Sequence, residues 1–347
     1  MSLTLDGIIF SLQRHGGISM YFRELLANLA RVDVPVTLTI YNPTLQSVPQ
    51  SSEMLRIDHR AARHLERYRS ARVPDTNTVF HSTYYRLPAC ARQASVVTVH
   101  DFTYERFGRG PALWIHRRQK KAAIRAAQAI ICISTATRDD LLEFVGVKAN
   151  QTLHVIPNGV ACCFRPIEGA EPSPRDLLFV GDRGGYKNFR LLLKALALLP
   201  GYRVQCVGGG ALRDEEFKGL NSNLRERVTH LGYINNDQLN IQYNQVAGLI
   251  YPSAYEGFGI PVVEAMRAGC PVVTTDCRAV REVGGSSLTV AEAMTPPALA
   301  EAIRRLDNAA WRGWVIQAGL IRAAEFSWRA THERTLLVYR DLGGLSN

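Results

Sequence analysis

The sequence predicts an α/β protein with two parallel-sheet domains, and three observations lead to that prediction. Short apolar runs of strand length alternate with helical patterns from one end of the chain to the other, which is typical of parallel sheets. The alternation breaks once, at Pro157-Asn-Gly159 and the loose stretch up to Pro174, and then restarts. The length of 347 residues also suits two domains that each bury their own core.

The first predicted domain, residues 1–165, contains six strands. They are Gly7–Phe10, Val36–Ile40, Thr78–Phe80, Ser95–Val99, Ile130–Ile133 and Leu153–Ile156. After the first strand, apolar residues recur at helical spacing and predict an amphipathic helix. Those residues are Ile18, Phe22, Leu25 and Leu29.

The second predicted domain, residues 166–327, repeats the same rhythm. Its predicted strands are Asp176–Val180, Arg203–Val207, Gly248–Tyr251 and Pro271–Thr274. A helix should run from Asn188, a suitable N-cap, to Leu199, where Pro200 and Gly201 follow. The last stretch, Trp328–Leu342, predicts one further amphipathic helix.

The segment Tyr251–Glu264 combines a strand end, a Gly-Phe-Gly turn and a helix start, for which Pro261 is the predicted first residue. We expect Ile260, Val263 and Met266 to face the core. Glu264 should lie in the first turn, where negative charge suits the helix dipole. The glycines let backbone N–H groups approach a ligand, and a helix N-terminus is an anion site. Read alone, the junction could be purely structural; with its flanking acids it fits a nucleotide sugar.

Four sets of polar or glycine residues follow the carboxyl ends of predicted strands, where open α/β sheets bind ligands. The sets are Gly16 with Gly17, His100 with Asp101, Arg183 with Lys187, and Glu256. Two sets belong to each half of the chain, so we expect the ligand site between the domains. Arg183 and Lys187 are suitable cations for a leaving diphosphate, although both could equally be surface residues of a glycine turn.

The segment Tyr251–Glu264 and its continuation to Val273 resemble the E-x7-E signature of the retaining family-4 glycosyltransferases. The resemblance implies the GT-B fold, in which two Rossmann-like domains face each other across a cleft. It also implies that residues 328–347 form a helix that crosses back to the first domain.

The same resemblance implies a role for each candidate residue. His100 would contact the donor sugar or the reacting centre, Glu256 the transferred sugar, and Glu264 the ribose hydroxyls. The backbone amides of Phe258, Gly259 and Ile260 would face the diphosphate or sugar, and Gly16 and Gly17 the donor phosphate and acceptor. Lys187-Asn188 fits the family pattern, whereas Asp182 separates Gly181 from Arg183 where the family has Gly-Arg.

The resemblance further implies transfer with retention of configuration, by front-face attack in which the leaving phosphate accepts the acceptor's proton. The chain has no D-x-D motif, so we expect no metal and no cofactor beyond the nucleotide-sugar donor. Overall similarity to mannosyltransferases of O-antigen assembly favours a GDP-sugar over a UDP-sugar. The expected acceptor is a glycan or lipid-linked glycan of bacterial surface lipopolysaccharide.

Charge and cysteine content bear on location and partners. Residues 1–165 carry 21 Lys and Arg against 12 Asp and Glu, a net charge of +9. Two basic clusters dominate, one over residues 56–72 and one over 117–125, beside Trp114 and Ile115. They suit an anionic membrane surface, a phosphorylated lipid, nucleic acid, or simply solvated helix faces. Seven cysteines without a C-x-x-C pair, and no signal-peptide pattern, predict a cytoplasmic protein with peripheral contact to the membrane.

Two other functions stay open at this point. The same fold could serve a sugar-nucleotide enzyme that does not transfer to a glycan, such as an epimerase or a phosphorylase. A basic nucleic-acid-binding protein is the other alternative, although the chain shows no recognisable nucleic-acid-binding motif and no stacking aromatics between the basic residues.

Overall fold

A computed structural model describes residues 2–13, 16–31, 34–41, 51–73, 78–90 and 93–343. The chain divides into two compact units. The first comprises the described residues of Met1–Gly159 and of Trp328–Asn347, and the second is Val160–Ser327. Each unit is a parallel sheet with helices between its strands, as the alternating sequence pattern predicts.

The sheet of the first unit has seven strands within the described residues, all parallel, in the order β3-β2-β1-β4-β5-β6-β7. The strands are β1 (Ser2–Asp6), β2 (Val36–Tyr41), β3 (Leu55–Arg60), β4 (Thr78–Ser82), β5 (Ser95–Val99), β6 (Ala129–Cys132) and β7 (Thr152–Val155). The helices are α1 (Ile9–Leu12), α2 (Gly17–Leu29), α3 (Thr103–Phe107), α4 (Pro111–Ala126) and α5 (Thr135–Phe144). The strand order reverses between β1 and β4, which opens a crevice at their carboxyl ends.

The prediction for the first strand is wrong. The strand is Ser2–Asp6, with Leu3 and Leu5 fully buried, and the predicted segment Gly7–Phe10 instead leads into a short helix. Both segments are buried and apolar, so periodicity alone cannot separate a buried strand from a buried helical turn. Strand β3 was not predicted either, because its basic sequence hides its pairing with β2.

The sheet of the second unit has six described strands in the order β10-β9-β8-β11-β12-β13, all parallel. The strands are β8 (Asp176–Val180), β9 (Arg203–Val207), β10 (Val228–His230), β11 (Gly248–Tyr251), β12 (Val272–Thr274) and β13 (Leu288–Val290). The helices are α6 (Phe189–Ala197), α7 (Asp214–Phe217), α8 (Asn236–Gln245), α9 (Ile260–Arg267), α10 (Arg278–Gly284), α11 (Pro296–Arg304) and α12 (Ala309–Ala323). This is the Rossmann strand order, with its switch point between β8 and β11.

Short 3₁₀ helices complete the described structure at Glu66–Tyr68, Gly185–Lys187, Ser222–Leu224, Gly285–Ser287 and Arg305–Asp307. Within the described residues, no helix is both long enough and apolar enough to cross a bilayer.

The second unit begins at Val160, whereas the sequence predicted that the first domain extends to residue 165. Val160 pairs with Ser327 in an isolated bridge, and the Arg165 amide donates to Asn240. The predicted interdomain linker, 166–174, is held in the same way, because the Ile167 amide donates to Asn244. These hydrogen bonds fasten the segment to α8.

The C-terminal helix α13 (Trp328–Gly343) packs in the first unit. The Tyr339 hydroxyl lies 2.5 Å from Nδ1 of His81 in β4, and both side chains are fully buried. Near the other end of the helix, the Thr331 hydroxyl donates to the carbonyl of Pro157. Polar contacts near both ends therefore fix the helix to the first unit.

We predict that Tyr339→Phe destabilises the first unit by about 1–3 kcal/mol, because His81 loses the only partner of one buried ring nitrogen within the described structure. Urea unfolding measures the change. Tyr68→Phe, which removes a hydroxyl from a side chain that is 41% exposed, serves as the control. Equal stability of Tyr339→Phe and the wild type would contradict this anchoring role.

Candidate active site

Two loops of the second unit meet at its switch point. One follows β8 and contains Lys187, and the other follows β11 and contains Glu256. The Ala254 amide donates to the carbonyl of Tyr186 at 2.8 Å. The side chain of Asn188 donates to the carbonyl of Pro252 at 3.0 Å. Asn188 thus stands at the predicted N-cap position of α6, but its side chain ties the two loops together instead of capping the helix.

Lys187 and Glu256 form an ion pair between these loops. Nζ of Lys187 lies 2.6 Å from Oε1 of Glu256, and the two side chains are 15% and 11% exposed. The hydroxyl of Tyr251, at the end of β11, accepts a second bond from the same ammonium at 3.3 Å. Burial, followed by the Glu256 charge, raises the pKa of Tyr251 well above its usual range. Because its side chain is 15% exposed, Lys187 supplies the site with a cation that solvent can reach.

The Gly-Phe-Gly turn leads into α9 beside this pair. Gly259 has φ of 100°, in the left-handed region, and a Cβ there would lie 3.3 Å from Val280. Phe258 is buried against the ring of Phe326. The helix begins at Ile260, one residue before the predicted Pro261, and Ile260 is partly exposed instead of facing the core. Pro261 has no N–H and the Val262 amide donates to the carbonyl of Gly259 at 2.9 Å, so the Ile260 amide is the N–H at the start of this helix that can bind an anion.

Glu264 lies deeper than the sequence predicts. It is the fifth residue of α9, beyond the first turn, and only 5% exposed. Its Oε2 accepts a hydrogen bond from the hydroxyl of Tyr243, in α8, at 3.1 Å. Burial raises the pKa of Glu264 to about 7, against the opposing effect of this hydrogen bond. Tyr243 is a partner that sequence reasoning missed, since no pattern around it suggests a site.

Arg183 occupies a different environment from the one predicted for a phosphate-binding cation. Its side chain is 1% exposed and forms an ion pair with Glu216 at 3.1 Å. The same guanidinium donates to four backbone carbonyls after β9, those of Gly208, Gly209, Gly210 and Ala211. Gly209 has φ of 72°, and a Cβ there would lie 3.0 Å from the Arg183 guanidinium. Arg183 thus holds this glycine loop in place. The pattern that the resemblance implies has Gly-Arg at this point, whereas Asp182 separates Gly181 from Arg183 in this chain.

In the first unit, His100 follows β5 directly. It is buried, and its Nε2 has no hydrogen-bond partner among the described residues. Burial lowers the pKa of His100 to about 4, so the ring is neutral at pH 7. The rings of Tyr21 and Phe22, one turn into α2, lie 5.1 and 6.1 Å from it.

The glycine pair stands at the start of α2. Gly16 is the N-cap residue with extended backbone, and Gly17 is the first helical residue. A Cβ at Gly16 would lie 2.6 Å from the side chain of Gln13. Because α2 also carries the rings that contact His100, the helix brings the glycine pair and the histidine to one region of the first unit.

A second polar group beside His100 was missed as a site feature. Lys120, assigned by sequence to an exposed basic cluster, is buried, donates to the carbonyl of Asp101 and pairs with Glu105 at 3.1 Å. His116 is also buried, among the rings of Tyr84, Tyr85 and Tyr104. Helical periodicity could have found both, because they share the buried face of α4 with Ala123 and Ile124.

Among the residues that the structure describes, no group of three or more His, Cys, Asp or Glu side chains could hold a metal ion. The candidate residues of each unit lie at the carboxyl ends of its strands. In the first unit they are His100 and the glycine pair, and in the second they are the Lys187–Glu256 pair and the start of α9.

Comparison with protein families accounts for both units. The family model described as Glycosyltransferase Family 4 matches residues 15–162. A second model, Glycosyl transferases group 1, matches residues 174–308. Together these matches span most of the chain.

Individual proteins agree with the family models. The O-antigen chain mannosyltransferase B of Escherichia coli is 26% identical over 288 residues, which cover 76% of this chain and 74% of that protein. The structure of sucrose-phosphate synthase from Thermosynechococcus elongatus superposes with a TM-score of 0.80 and 22% identity over the whole of both chains. WaaG, a glycosyltransferase involved in lipopolysaccharide biosynthesis, superposes with a TM-score of 0.73 and 15% identity, covering 97% of this chain and 99% of its own. The two structural similarities show the fold.

We predict that Glu264 makes the stability of the protein fall between about pH 4.5 and pH 7. The folded-state pKa of about 7 lies above the ordinary value of 4.5, so folding penalises the ionised carboxylate. The penalty is absent below pH 4.5, grows as the pH rises and is complete above pH 7. At 1.36 kcal/mol per pKa unit it amounts to roughly 3 kcal/mol.

The measurement is the free energy of unfolding at pH 5 and pH 8 for the wild type and Glu264→Gln. The glutamine cannot ionise, so the difference between the two proteins should change by about that amount across the window. A difference that is the same at both pH values would show that Glu264 keeps an ordinary pKa in the folded protein.

Proposed function

Because the chain belongs to the family-4 glycosyltransferases of the GT-B fold, we propose that it transfers a hexose from a nucleotide sugar to a glycan acceptor with retention of configuration. The first candidate for the donor is GDP-mannose or a related GDP-sugar. The first candidate for the acceptor is a glycan or lipid-linked glycan in the synthesis of lipopolysaccharide O-antigen. The similarity to the O-antigen chain mannosyltransferase B of Escherichia coli supports mannose as the sugar and an O-antigen glycan as the acceptor.

The observation that carries this proposal is the Lys187–Glu256 ion pair at the switch point of the second unit. Open α/β sheets bind nucleotides at that position. The pair supplies one cation for a diphosphate and one carboxylate for sugar hydroxyls. The start of α9, with Phe258, Gly259 and Ile260, supplies backbone N–H groups directly after the same loop.

We propose that Lys187 stabilises the negative charge that builds up on the leaving diphosphate. When the bond between the anomeric carbon and the phosphate oxygen breaks, the sugar becomes cationic and the diphosphate more negative. A fixed ammonium stabilises that state more than the ground state. A diphosphate in the site would also replace Glu256 as the partner of Lys187, which frees the carboxylate to accept hydrogen bonds from sugar hydroxyls.

The acceptor hydroxyl attacks the anomeric carbon from the face that the diphosphate leaves. Its oxygen forms the new glycosidic bond, and its proton passes to the phosphate oxygen whose bond to the sugar is breaking. His100 is assigned to the sugar as a neutral hydrogen-bonding group, since its pKa of about 4 keeps it uncharged at pH 7. Glu264 is assigned to the ribose hydroxyls, and Gly16 and Gly17 to close approach of phosphate or acceptor.

Arg183 acts in this proposal as a positioning residue. Its contacts with Glu216 and the carbonyls after β9 fix the Gly208–Gly210 loop at the carboxyl edge of the sheet. We propose that the reaction needs no divalent metal, because a lysine and a helix N-terminus can meet the charge of the diphosphate. The proposed location is the cytoplasm, with the acceptor at the inner face of the cytoplasmic membrane.

We predict that Lys187→Met lowers kcat for sugar transfer by about 10²-fold or more, since it removes a cation aimed at the leaving group. The matched control is Lys218→Met, which removes an exposed lysine from the same unit. Release of nucleoside diphosphate in the presence of acceptor measures the rate. Nearly equal rates in the wild type and Lys187→Met would contradict the assignment.

We also predict that one nucleotide class raises the Tm of the protein and that EDTA does not change this rise. Thermal unfolding with GDP, UDP, ADP and their sugars measures it, because a ligand that binds only the folded state stabilises it. We expect GDP and GDP-mannose to give the largest shift. A shift with UDP alone would refute the GDP-sugar, and a shift abolished by EDTA would refute metal-free binding.

Acceptor-dependent release of the nucleotide separates transfer from the alternatives. An epimerase or phosphorylase of the same fold would convert its substrate without a glycan acceptor. A nucleic-acid-binding protein would release no nucleotide from any sugar donor.

A further inference from the structure

The first unit carries a surface groove of about 320 Å³ between the turn that precedes β4 and the outer face of α4. We refer to it as the aromatic–arginine groove. Its principal lining residues are Tyr68, Arg69, Leu87, Trp114, Ile115 and Arg118. None of these residues has a role in the proposed transfer reaction.

The walls of the groove are held together by hydrogen bonds from side chains to the backbone. Gln119 in α4 donates to the carbonyl of Arg67 at 2.7 Å. The fully buried Arg86 donates to the carbonyl of Arg69 at 2.8 Å and pairs with Asp6 and Glu66. Gln119 thus fixes the turn against α4, and Arg86 fixes the same turn against the segment that follows β4, so the contacts of the fold define the walls of the groove.

Large apolar side chains are exposed in and beside this groove. Trp114 is 57% exposed and Ile115 44% exposed, on the first turns of α4. Near the groove in the chain, Leu65, three residues before Tyr68, is 58% exposed, and Phe107, four residues before the start of α4, is 50% exposed. A concentration of exposed apolar side chains marks a surface that binds something apolar.

The polar members of the same surface are cationic. Arg69 and Arg118 are exposed, and neither forms an ion pair with a carboxylate in the part of the chain that the structure describes. The Arg118 guanidinium lies 5.0 Å from the centre of the Trp114 ring. The basic cluster predicted from sequence is therefore divided: Lys120 is buried and Arg117 donates to the carbonyl of Tyr104, whereas Arg118 faces solvent.

We propose that the aromatic–arginine groove and its apolar rim bind the surface of an anionic lipid bilayer. Tryptophan beside arginine suits the headgroup region, where the ring meets the acyl boundary and the guanidinium meets lipid phosphate. Trp114 and Ile115 enter the interface, and Arg69 and Arg118 contact phosphates. The inference deepens the proposed function, on which it rests only for the lipid-linked acceptor.

The aliphatic side chains favour a bilayer over nucleic acid or a soluble anionic glycan. Leu65 and Ile115 gain nothing from base stacking or from a hydrated phosphate, whereas burial in a lipid interface removes their apolar area from water. The cations alone would serve any anion. Exposed apolar side chains together with exposed arginines on one surface favour an anionic lipid bilayer.

The test is co-sedimentation of the full chain with two kinds of vesicle, phosphatidylcholine alone and an equal mixture with phosphatidylglycerol. We expect binding to the anionic vesicles that weakens as salt increases. The test variant combines Trp114→Ser, Arg69→Gln and Arg118→Gln. Its binding should fall about tenfold or more.

The control variant combines Trp314→Ser, Lys194→Gln and Arg225→Gln in the second unit. It likewise removes one exposed tryptophan and two exposed cations, and it should bind vesicles as the wild type does. Because all six positions are exposed, both variants should keep the wild-type Tm.

Three results would overturn the proposal. They are wild-type protein that does not bind anionic vesicles, an equal loss in the test and control variants, and full competition by soluble glycerol phosphate or by a short DNA duplex. Vesicle binding needs no donor, and the test variant should keep the thermal shift with nucleotide. Failure of this inference is therefore distinguishable from failure of the proposed transferase.

Discussion

The ion pair of Lys187 with Glu256 depends on the strand order of the second sheet, and the rest of the candidate donor site depends on that pair. The reversal between β8 and β11 places the two loops side by side at one edge. The amide of Ala254 and the side chain of Asn188 then fasten one loop to the other. These contacts hold a cation, a carboxylate and the start of α9 together before any ligand binds, which is the preorganisation that electrostatic catalysis requires.

The charged groups around this pair are of two kinds. Some remain exposed to solvent, and others are buried and form their contacts within the protein. Lys187 stays partly exposed, whereas all three nitrogens of the Arg183 guanidinium donate to Glu216 or to the loop after β9. The first unit shows the same division. Lys120 is enclosed with Glu105, while Arg118 remains at the surface. Burial of a cation needs its own acceptors, so burial separates structural cations from those that are available to ligands.

The sequence predicted the strands well where an apolar run is bounded by turn residues. Four predicted strands, Ser95–Val99, Asp176–Val180, Arg203–Val207 and Gly248–Tyr251, have the observed bounds. Prediction failed at Gly7–Phe10, where a buried helix has the composition of a strand. It also placed Glu264 too near the helix start. The partners of Arg183 and Glu264 could not be predicted, because Glu216 and Tyr243 come from distant positions in the chain and only tertiary packing brings them close. The roles assigned to the site residues stay predictions.

The most direct test of this account is a double-mutant cycle on nucleotide binding, with Lys187→Met, Glu256→Gln and both changes together. Calorimetric titration with GDP measures each affinity. If the lysine passes from Glu256 to the diphosphate, Glu256→Gln should bind GDP at least as tightly as the wild type, and only while Lys187 is present. If Glu256→Gln weakens GDP binding as much as Lys187→Met does, and the two effects simply add, the pair is not the donor-phosphate site.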